Sequence, residues 1–396
     1  MKPKALAWRC RWWGPHARIG GAGLLLVAAL TAAPREYFMY LGAYTFRDGK
    51  GVYAYRFNSE TGKLTPLGLA AETVNPSFLA IHPNGRFLYA ANEFPSNEFP
   101  PNPKKNGSIT AFSVDAKTGK LTALNTVSSG GAFVPHLAVA DSGRTLVAVN
   151  YMSGSTVSFP IHADGTLGEV ASLMQHSGSS IDPERQTGPH PHGVTFAPGN
   201  RFVIIPDRGI DKLMVYRLDA ASSKLSANDP PFTKLEAGSG PRHFAFRPDG
   251  KFGYSINEIG STVTVLRWDG KAGTLTAVQT LSSLPSPPPQ GNTTAEVVID
   301  RRGRFLYGSN RGHDSIAVFA IDGPTGKLTS VQDVPTEGRA PRNFAIDPTG
   351  GYLFAANQDS NNIVVFKIDP GSGKLSPTGD KYSASLPVCI VFLEVK

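Results

Sequence analysis

A two-strand segment recurs six times along this chain, and no other feature of the sequence restricts the possible folds as much. Each copy has a short apolar strand, a polar turn containing Gly or Asn, and a second strand that ends at Asn or Asp. The copies begin at Pro76, Pro135, Pro191, Pro241, Thr294 and Pro341. Such repeats are typical of solenoids and propellers, in which neighbouring copies bury each other's apolar faces. We interpret the repeated Asn or Asp as structural, a short side chain that ties the strand end to the next turn.

A second hairpin follows each of these segments, and one further copy precedes the first of them. Its strands alternate apolar and polar residues, and its loop is rich in Gly, often as TGKL, which is typical of β-hairpins. The seven copies begin at Gly51, Gly107, Ser155, Asp211, Ser261, Asp314 and Asn361. Two hairpins per repeat give four strands, the number found in one blade of a β-propeller.

The missing partner of the first of these hairpins can be built from the two ends of the sequence. Residues 386–395 (LPVCIVFLEV) supply an inner strand, and residues 37–44 (YFMYLGAY) supply the strand beside it. Pairing them closes the ring and removes exposed sheet edges. The sequence therefore predicts an all-β, seven-bladed β-propeller over residues 37–396, with four-stranded blades and a last blade closed by N- and C-terminal strands. Two Pro-rich stretches, residues 94–106 and 284–292, are predicted to be loops.

The first 33 residues contain five Lys and Arg side chains and no Asp or Glu, and an apolar run over residues 19–33 completes the segment. This order is typical of a secretory signal, and the run is short for a membrane-spanning helix. We expect residues 1–33 to be a signal peptide and the protein to be exported, periplasmic or secreted, without stable membrane association after cleavage. There are two alternatives. The first is a wrongly assigned start residue, which implies a cytoplasmic protein, and the second is a segment that remains uncleaved as a membrane anchor. Without this segment the net charge of +8 falls by five to +3. The net charge therefore does not indicate nucleic-acid binding.

The cysteines and the cofactor motifs argue against several classes of site. Cys10 lies in the N-terminal segment, and Cys389 lies in an apolar stretch that predicts a buried structural thiol. The sequence has no G-x-S-x-G elbow, phosphate-binding loop or dinucleotide fingerprint, so neither a serine-hydrolase nor a nucleotide-dependent mechanism is indicated. We expect no cofactor.

Residues that vary at one end of every blade are the candidates for function. If the first strand of each blade is innermost, its start and the end of the next strand lie at the same mouth of the central channel, because the two strands are antiparallel. The start positions are Ser77, Pro135, His192, Arg242, Ala295 and Arg342, and the end positions are Glu93, Tyr151, Arg208, Glu258, Arg311 and Gln358. His136, His243 and Glu296 adjoin the start positions. Arginines gathered there suit an anionic small molecule, and ordinary surface ion pairs are the alternative interpretation.

A polar loop over residues 176–193 adds further candidates. It contains Arg185, Gln186, His190 and His192. The two histidines are two residues apart and therefore point to the same side of an extended chain. A hydrogen-bonded pair at a strand entry and a metal site are both open interpretations. No third ligand stands at a diagnostic spacing, and we expect no metal.

Three stretches of the chain resemble the lactonase family of seven-bladed propellers: DPERQTGPHPHG, GPRHFAF with the later INE, and SNRGHDSIAVF. That family includes propeller-type 6-phosphogluconolactonases and fungal 3-carboxy-muconate lactonizing enzymes. The resemblance implies hydrolysis or closure of a lactone ring without a metal or organic cofactor. It also implies a catalytic set of one histidine, two arginines and one glutamate, which match His192, Arg242, Glu258 and Arg311.

On this resemblance we expect the protein to open a sugar lactone, an aldonolactone, that is anionic. Glu258 or His192 would act as general base or acid, and Arg242 and Arg311 would hold the anionic group and stabilise the oxyanion. Further substrate contacts are predicted for Arg185, Gln186, His190, Arg208 and Arg342. An exported binding or scaffold propeller without catalysis and a muconate-type cycloisomerase are the alternative functions.

Overall fold

Antiparallel β-strands are the only regular elements among the residues that the structure describes. The computed structural model describes residues 36–98, 102, 104–285 and 290–395, and within them 28 strands form seven sheets of four strands each. The predicted signal segment, residues 1–33, lies outside the described residues. Over the described ranges, no helix is long and apolar enough to cross a membrane.

Each four-stranded sheet is one blade. In chain order the strands are β1 (Glu36–Ala43), β2 (Gly51–Asn58), β3 (Leu64–Glu72), β4 (Pro76–Ile81), β5 (Phe87–Asn92), β6 (Asn106–Val114), β7 (Leu121–Ala132), β8 (His136–Val139), β9 (Thr145–Asn150), β10 (Ser155–Pro160), β11 (Ser172–Gln175), β12 (Thr195–Phe196), β13 (Phe202–Asp207), β14 (Lys212–Asp219), β15 (Lys224–Lys234), β16 (Pro241–Phe246), β17 (Phe252–Asn257), β18 (Thr262–Asp269), β19 (Thr274–Ser282), β20 (Thr293–Ile299), β21 (Phe305–Arg311), β22 (Ser315–Ile321), β23 (Leu328–Pro335), β24 (Pro341–Ile346), β25 (Tyr352–Asn357), β26 (Asn362–Ile368), β27 (Leu375–Ser383) and β28 (Pro387–Glu394).

Six blades use four consecutive strands, and the seventh takes strands from both ends of the chain. Blades 1 to 6 run in order from β4–β7 to β24–β27, and blade 7 has the order β28-β1-β2-β3. The first strands of most neighbouring blades contact one another around the centre, and β28 contacts both β4 and β24. In blade 7, Tyr40 pairs with Val391 on one side and with Ala54 on the other. The seven-bladed propeller and its closure by the two chain ends are therefore confirmed.

Apolar side chains fill the wedges between adjacent blades. Because successive residues of a strand point to opposite faces, each strand supplies side chains to both neighbouring blades. The core between blades 5 and 6, for example, joins Phe305 and Tyr307 to Phe366, all of them buried. Burial of such aromatic side chains on both faces is the main favourable term that holds the ring together.

In six of the seven second hairpins, a glycine in the loop packs against an aromatic ring of the preceding blade. Gly326 and Gly373 have φ of 70° and 71°, which favours glycine, and a Cβ would lie 2.5 Å from the Phe252 ring or 2.4 Å from the Phe305 ring. Beside the second contact, the hydroxyl of Tyr307 donates to the carbonyl oxygen of Gly373 at 2.9 Å. The repeated TGKL sequence thus reflects contact between blades as well as turn geometry.

The repeated Asn at the end of each second strand has the structural role that the sequence predicts. In four copies its Nδ2 donates to a backbone carbonyl that shortly precedes the first strand of its blade. The pairs are Asn92 with Val74 (2.5 Å), Asn150 with Ser129 (3.1 Å), Asn310 with Ser283 (2.9 Å) and Asn357 with Thr336 (3.1 Å). The Asp copy, Asp207, instead accepts the backbone N–H of His190 at 2.7 Å.

Two smaller predictions are also confirmed. The described residues of the two Pro-rich stretches lie in the connections from β5 to β6 and from β19 to β20, except Asn106, which begins β6. Cys389 is buried, and its Sγ accepts the backbone N–H of Leu79 at 3.3 Å. Burial raises the pKa of this thiol, so it is an inert structural group. Cys10 lies outside the described residues.

Candidate active site

The carboxylate of Glu258 brings three arginines from three blades together at one mouth of the channel. Its Oε2 lies 3.2 Å from Nε of Arg242 and 3.2 Å from Nη2 of Arg311, and its Oε1 lies 3.4 Å from Nη1 of Arg208. Arg242 is in the inner strand β16, whereas the other three stand at or directly after the ends of β13, β17 and β21. The geometry therefore places these four residues together, as the counting from the repeat predicts.

A β-bulge near the start of several inner strands directs the side chains at this mouth. In blade 4 the register shifts between Pro241 and His243, so Arg242 is the extra residue. Blades 1 and 6 shift at the same place, at Ser77 and Arg342. A bulge redirects side chains and interrupts regular pairing. As a result Arg242 and His243, although adjacent in sequence, are both buried, at 2% and 5% exposure.

A second carboxylate at the same mouth holds a fourth arginine. Nη2 of Arg342 lies 3.6 Å from Oε2 of Glu93, and the hydroxyl of Tyr44 donates to the same oxygen. The Arg342 guanidinium also lies over the Tyr44 ring, 5.5 Å from its centre. Tyr44 was missed because it belongs to the closing blade, whose first hairpin is split between the chain ends and lacks the turn from which the rim positions are counted.

The electrostatics of this guanidinium cluster favour an anion. Four arginines lie among three carboxylates, those of Glu258, Glu93 and Glu296, which leaves an excess of one positive charge. Burial opposes ionisation of Glu258, but Arg311, Arg208 and Arg242 outweigh it and lower its pKa to about 2. Burial and the charges of Arg311 and Arg342 lower the pKa of Arg242. A ligand with one or two negative charges would relieve this repulsion among the arginines.

His192 lies beside the cluster as a neutral, buried imidazole. It is 6% exposed, and its ring centre is 5.2 Å from that of His243 and 5.7 Å from that of Tyr151. Burial and the charge of Arg242 lower the pKa of His192 well below 6.5. Its Nδ1 has no hydrogen-bond partner among the described residues. An imidazole in this state can accept a proton.

His190 packs against Tyr151 at the wall of the site. Its ring stacks on Tyr151 with ring centres 4.6 Å apart, and its Nδ1 lies 3.1 Å from the carbonyl oxygen of Tyr151. The hydroxyl of Tyr151 accepts a hydrogen bond from Arg208. The His-x-His spacing therefore corresponds to two different contacts, one through His190 and one through His192.

Several buried donors of the cluster are unpaired. Nε of Arg208 and of Arg311 is buried without a hydrogen-bond partner in the described part of the chain, whereas Nε of Arg242 lies 3.2 Å from the Glu258 carboxylate. Buried polar groups are nearly always hydrogen-bonded, so unpaired ones need an explanation. Donors grouped beside excess positive charge are suited to the oxygens of an anionic ligand.

The structure does not bring Arg185 and Gln186 into the cluster. Nε of Arg185 lies 2.7 Å from Asp182 on an exposed turn, where its side chain is 43% exposed. Gln186 is fully buried, and its Nε2 donates to the carbonyl oxygen of Arg208 at 2.9 Å. Gln186 thus braces the backbone that carries Arg208, and its amide is occupied within the protein.

The described ranges contain no group of three His, Cys, Asp or Glu side chains arranged to hold a metal ion. At His190 the Nδ1 atom is already close to a carbonyl oxygen. Of the two interpretations of the His-x-His pair, the geometry supports contacts within the protein.

A cleft of about 580 Å³ opens beside Arg342, a size within the usual range of about 300–1,000 Å³ for small-molecule sites. Aromatic and charged side chains from blades 5, 6, 7 and 1 surround it. Its lining residues are Tyr44, Phe46, Arg47, Phe94, Gly312, Asp314, Arg339, Ala340, Arg342, Gln358, Asp359 and Leu386. The cleft is large enough for a sugar-sized molecule, and of the guanidinium cluster only Arg342 lines it.

Sequence comparison relates the chain to bacterial 6-phosphogluconolactonases. It is 34% identical to the 6-phosphogluconolactonase of Bacillus subtilis, with 75% of this chain and 81% of that protein covered. It is 33% identical to the 6-phosphogluconolactonase of Formosa agariphila, with 73% and 80% covered. The relationship spans most of the propeller in both cases.

Structure comparison gives the same relationship. The periplasmic gluconolactonase of Pseudomonas aeruginosa superposes with a TM-score of 0.85 at 32% identity, covering 91% of this chain and 100% of that chain. The family model "Lactonase, 7-bladed beta-propeller" matches residues 38–392. The chain therefore belongs to the lactonase family of seven-bladed β-propellers.

Proposed function

We propose that this protein hydrolyses an anionic sugar lactone by attack of water on the ring carbonyl. The observation that carries the proposal is the guanidinium cluster, with one positive charge in excess and unpaired buried donors. The relatives named 6-phosphogluconolactonase and periplasmic gluconolactonase support a lactone as substrate. The excess charge favours a substrate that carries a phosphate or carboxylate group.

Arg242 and Arg311 would stabilise the transition state. Attack of water turns the lactone carbonyl oxygen into an oxyanion, and donors already held in place stabilise that charge without reorganisation. Both guanidinium groups are held by Glu258 at 3.2 Å. Arg208 and Arg342, which lie at the same mouth, would bind the anionic group of the substrate together with His190 at the wall.

His192 is the better candidate for the general base, and Glu258 is better suited to holding the arginines. Both oxygens of Glu258 contact guanidinium groups, so this carboxylate is already occupied within the protein. His192 is neutral and has an unpaired Nδ1. It would take a proton from the attacking water and return it to the ring oxygen as the carbon–oxygen bond of the lactone breaks.

The two alternative functions are not favoured. A scaffold propeller has no need for unpaired buried donors beside an uncompensated charge, which lower stability unless a ligand uses them. A muconate-type cycloisomerase would use the same anion-binding arginines, but the relatives compared above are named for lactone hydrolysis.

We also propose that the protein is exported, with residues 1–33 as its signal peptide. The charge and apolar pattern of this segment supports export, and the periplasmic location named for the Pseudomonas aeruginosa relative agrees with it. Cell fractionation and N-terminal sequencing of the mature protein test the proposal. A cytoplasmic protein that retains Met1 would contradict it.

The catalytic proposal is tested with a panel of phosphorylated and unphosphorylated aldonolactones. Ring opening is measured as the rate at which protons are released. We expect ring opening above the spontaneous rate, faster for anionic lactones, and a loss of about 100-fold or more in kcat for His192→Ala. Glu337→Gln, which removes an exposed carboxylate 2.9 Å from Lys381, is the control and should match the parent. If no lactone opens faster than background, or if His192→Ala matches the parent, the proposal is wrong.

A further inference from the structure

Beside Arg242, the inner strands hold a buried histidine–glutamate pair that the proposed reaction does not use. His243 and Glu296 are 5% and 7% exposed, and Nδ1 of the histidine lies 2.9 Å from Oε1 of the glutamate. The other ring nitrogen, Nε2, lies 3.2 Å from Nη1 of Arg242. The same Nη1 donates to the carbonyl oxygen of Ala295 at 2.6 Å. The pair is thus connected directly to one of the proposed oxyanion donors.

The hydrogen bonds of this pair have only one consistent direction. A guanidinium group can only donate, so Nε2 of His243 accepts from Arg242 and carries no proton. The ring proton is then on Nδ1, from which it is donated to Glu296. Burial and the charge of Arg242 lower the pKa of His243, in agreement with a neutral ring. The contacts therefore define both the charge state and the tautomer of His243.

Glu296 is itself fixed by two further donors. Its Oε1 accepts the backbone N–H of Val297 at 3.0 Å, and its Oε2 accepts Nδ2 of Asn343 at 2.7 Å. Burial raises the pKa of Glu296, and the positive charge of Arg242 opposes that rise. Because every bond to the carboxyl group uses its oxygens as acceptors, the arrangement suits the ionised form.

We propose that Glu296 and His243 are positioning residues that fix the orientation of Arg242 in the lactone hydrolysis proposed above, on which this inference rests. Nε of Arg242 faces Glu258 at 3.2 Å, while Nη1 is held on the other side by His243 and Ala295. A guanidinium group held from two sides keeps one direction for donation to the developing oxyanion. Glu296 acts on Arg242 through His243, because its hydrogen bond to Nδ1 fixes the tautomer of the histidine.

A buried carboxylate elsewhere in the fold provides a matched control. Asp347 is 1% exposed and accepts the backbone N–H groups of Thr349 and Tyr352 at 2.7 and 2.6 Å. It lies in the turn between β24 and β25, at the end of blade 6 opposite the guanidinium cluster. Asp347→Asn and Glu296→Gln each replace a buried carboxylate with the amide of the same shape, but only the second is connected to Arg242.

The experiment is a double-mutant cycle between His243 and Arg242. For lactone opening, His243→Gln and Glu296→Gln should each lower kcat by about 10- to 100-fold, the scale of a small misplacement of a catalytic group. KM should change by less than about threefold, since the interaction lost is made in the transition state. Asp347→Asn should keep the kcat of the parent. The double variant His243→Gln/Arg242→Lys should be no slower than Arg242→Lys alone, because the histidine acts through the arginine.

Additive losses in the double variant, or an equal fall in kcat for Asp347→Asn, would overturn the inference. If the parent protein opens no lactone, the proposed function fails. The positioning role is then tested by measuring the Kd of gluconate by calorimetry for the parent and for the same variants. In that measurement a non-additive effect supports the positioning role, and additivity overturns it. The two failures are therefore distinguishable.

Discussion

Replacing Glu258 with Gln should destabilise the propeller, and the size of the effect follows from the contacts of this carboxylate. The variant keeps the shape of the side chain but removes the charge that faces Arg208, Arg242 and Arg311 at 3.2 to 3.4 Å. The side chain is 10% exposed, so water compensates little for the loss. The remaining guanidinium groups then repel one another across the channel mouth.

The magnitude comes from the pKa of Glu258, which falls from 4.5 to about 2 on folding. A lowering of this size corresponds to about 3 kcal/mol in the free energy of unfolding at pH 7. That value agrees with the roughly 3–5 kcal/mol measured when one partner of a buried ion pair is removed. For a unit of this size, residues 34–396, the loss corresponds to a fall in Tm of about 4 °C.

The pH dependence of the effect has a definite sign. Because the folded pKa of the Glu258 carboxyl lies below its unfolded value, its stabilisation is present above pH 4.5 and is lost as the pH falls towards 2. The parent should therefore lose about 1.4 kcal/mol through this group between pH 7 and about pH 3.5, and Glu258→Gln should not. Guanidinium-chloride unfolding at pH 7, 5 and 3.5 measures both quantities.

The control for this measurement is Glu337→Gln, which removes a half-exposed carboxylate paired with Lys381. An exposed pair of this kind contributes less than about 1 kcal/mol, so the control should unfold close to the parent at every pH. If Glu258→Gln unfolds with the same midpoint as the parent at pH 7, the carboxylate does not hold the arginines as described. A gap that stays constant from pH 7 to about pH 3.5 would refute the linkage argument.

Two further predictions concern the base and the contacts between blades. If His192 is the base, kcat/KM should stay level as the pH falls through 6.5, because burial and Arg242 keep its pKa below that value, and a decline centred at or above 6.5 would contradict the assignment. Gly326→Ala should lower stability by more than Gly379→Ala, by about 1–3 kcal/mol in thermal or chemical unfolding. Both positions have positive φ, but a Cβ at Gly326 would lie 2.5 Å from the Phe252 ring and one at Gly379 has nothing within 4 Å. Equal losses of stability in the two variants would show that the positive φ alone, and not the contact with Phe252, causes the destabilisation.

The fold was predictable from the sequence because each blade contains the same local signals. Polar turns, alternating strands and Gly-rich loops mark the strands directly, and the count of two hairpins per repeat identifies the blade. The closure by residues 37–44 and 386–395 followed from the one hairpin without a partner. The contact between Gly326 and Phe252 was not predictable, since it joins two blades and no local pattern records it.

The candidate site was predictable only where it follows the repeat. Counting from the turns placed Arg242, Glu258 and Arg311 on one rim, and the structure brings them together. The same counting places His243 beside Arg242 but indicates no role for it. A bulge at this point buries both side chains, and a two-residue period does not reveal a bulge. The contribution of Tyr44 to the site was not predicted for a different reason, because its blade is assembled from both ends of the chain.

The closing strand also determines when the site becomes complete during synthesis. The backbone N–H of Ile390, in β28, donates to Oδ1 of Asn343 at 2.9 Å, and Nδ2 of the same amide donates to Glu296. A nascent chain that ends before β28 therefore carries every rim residue of the guanidinium cluster but lacks the strand that fixes the support of Arg242. Translation of the last strand closes the ring and supplies this hydrogen bond in the same step, so an unfinished chain is an incomplete enzyme as well as an open ring.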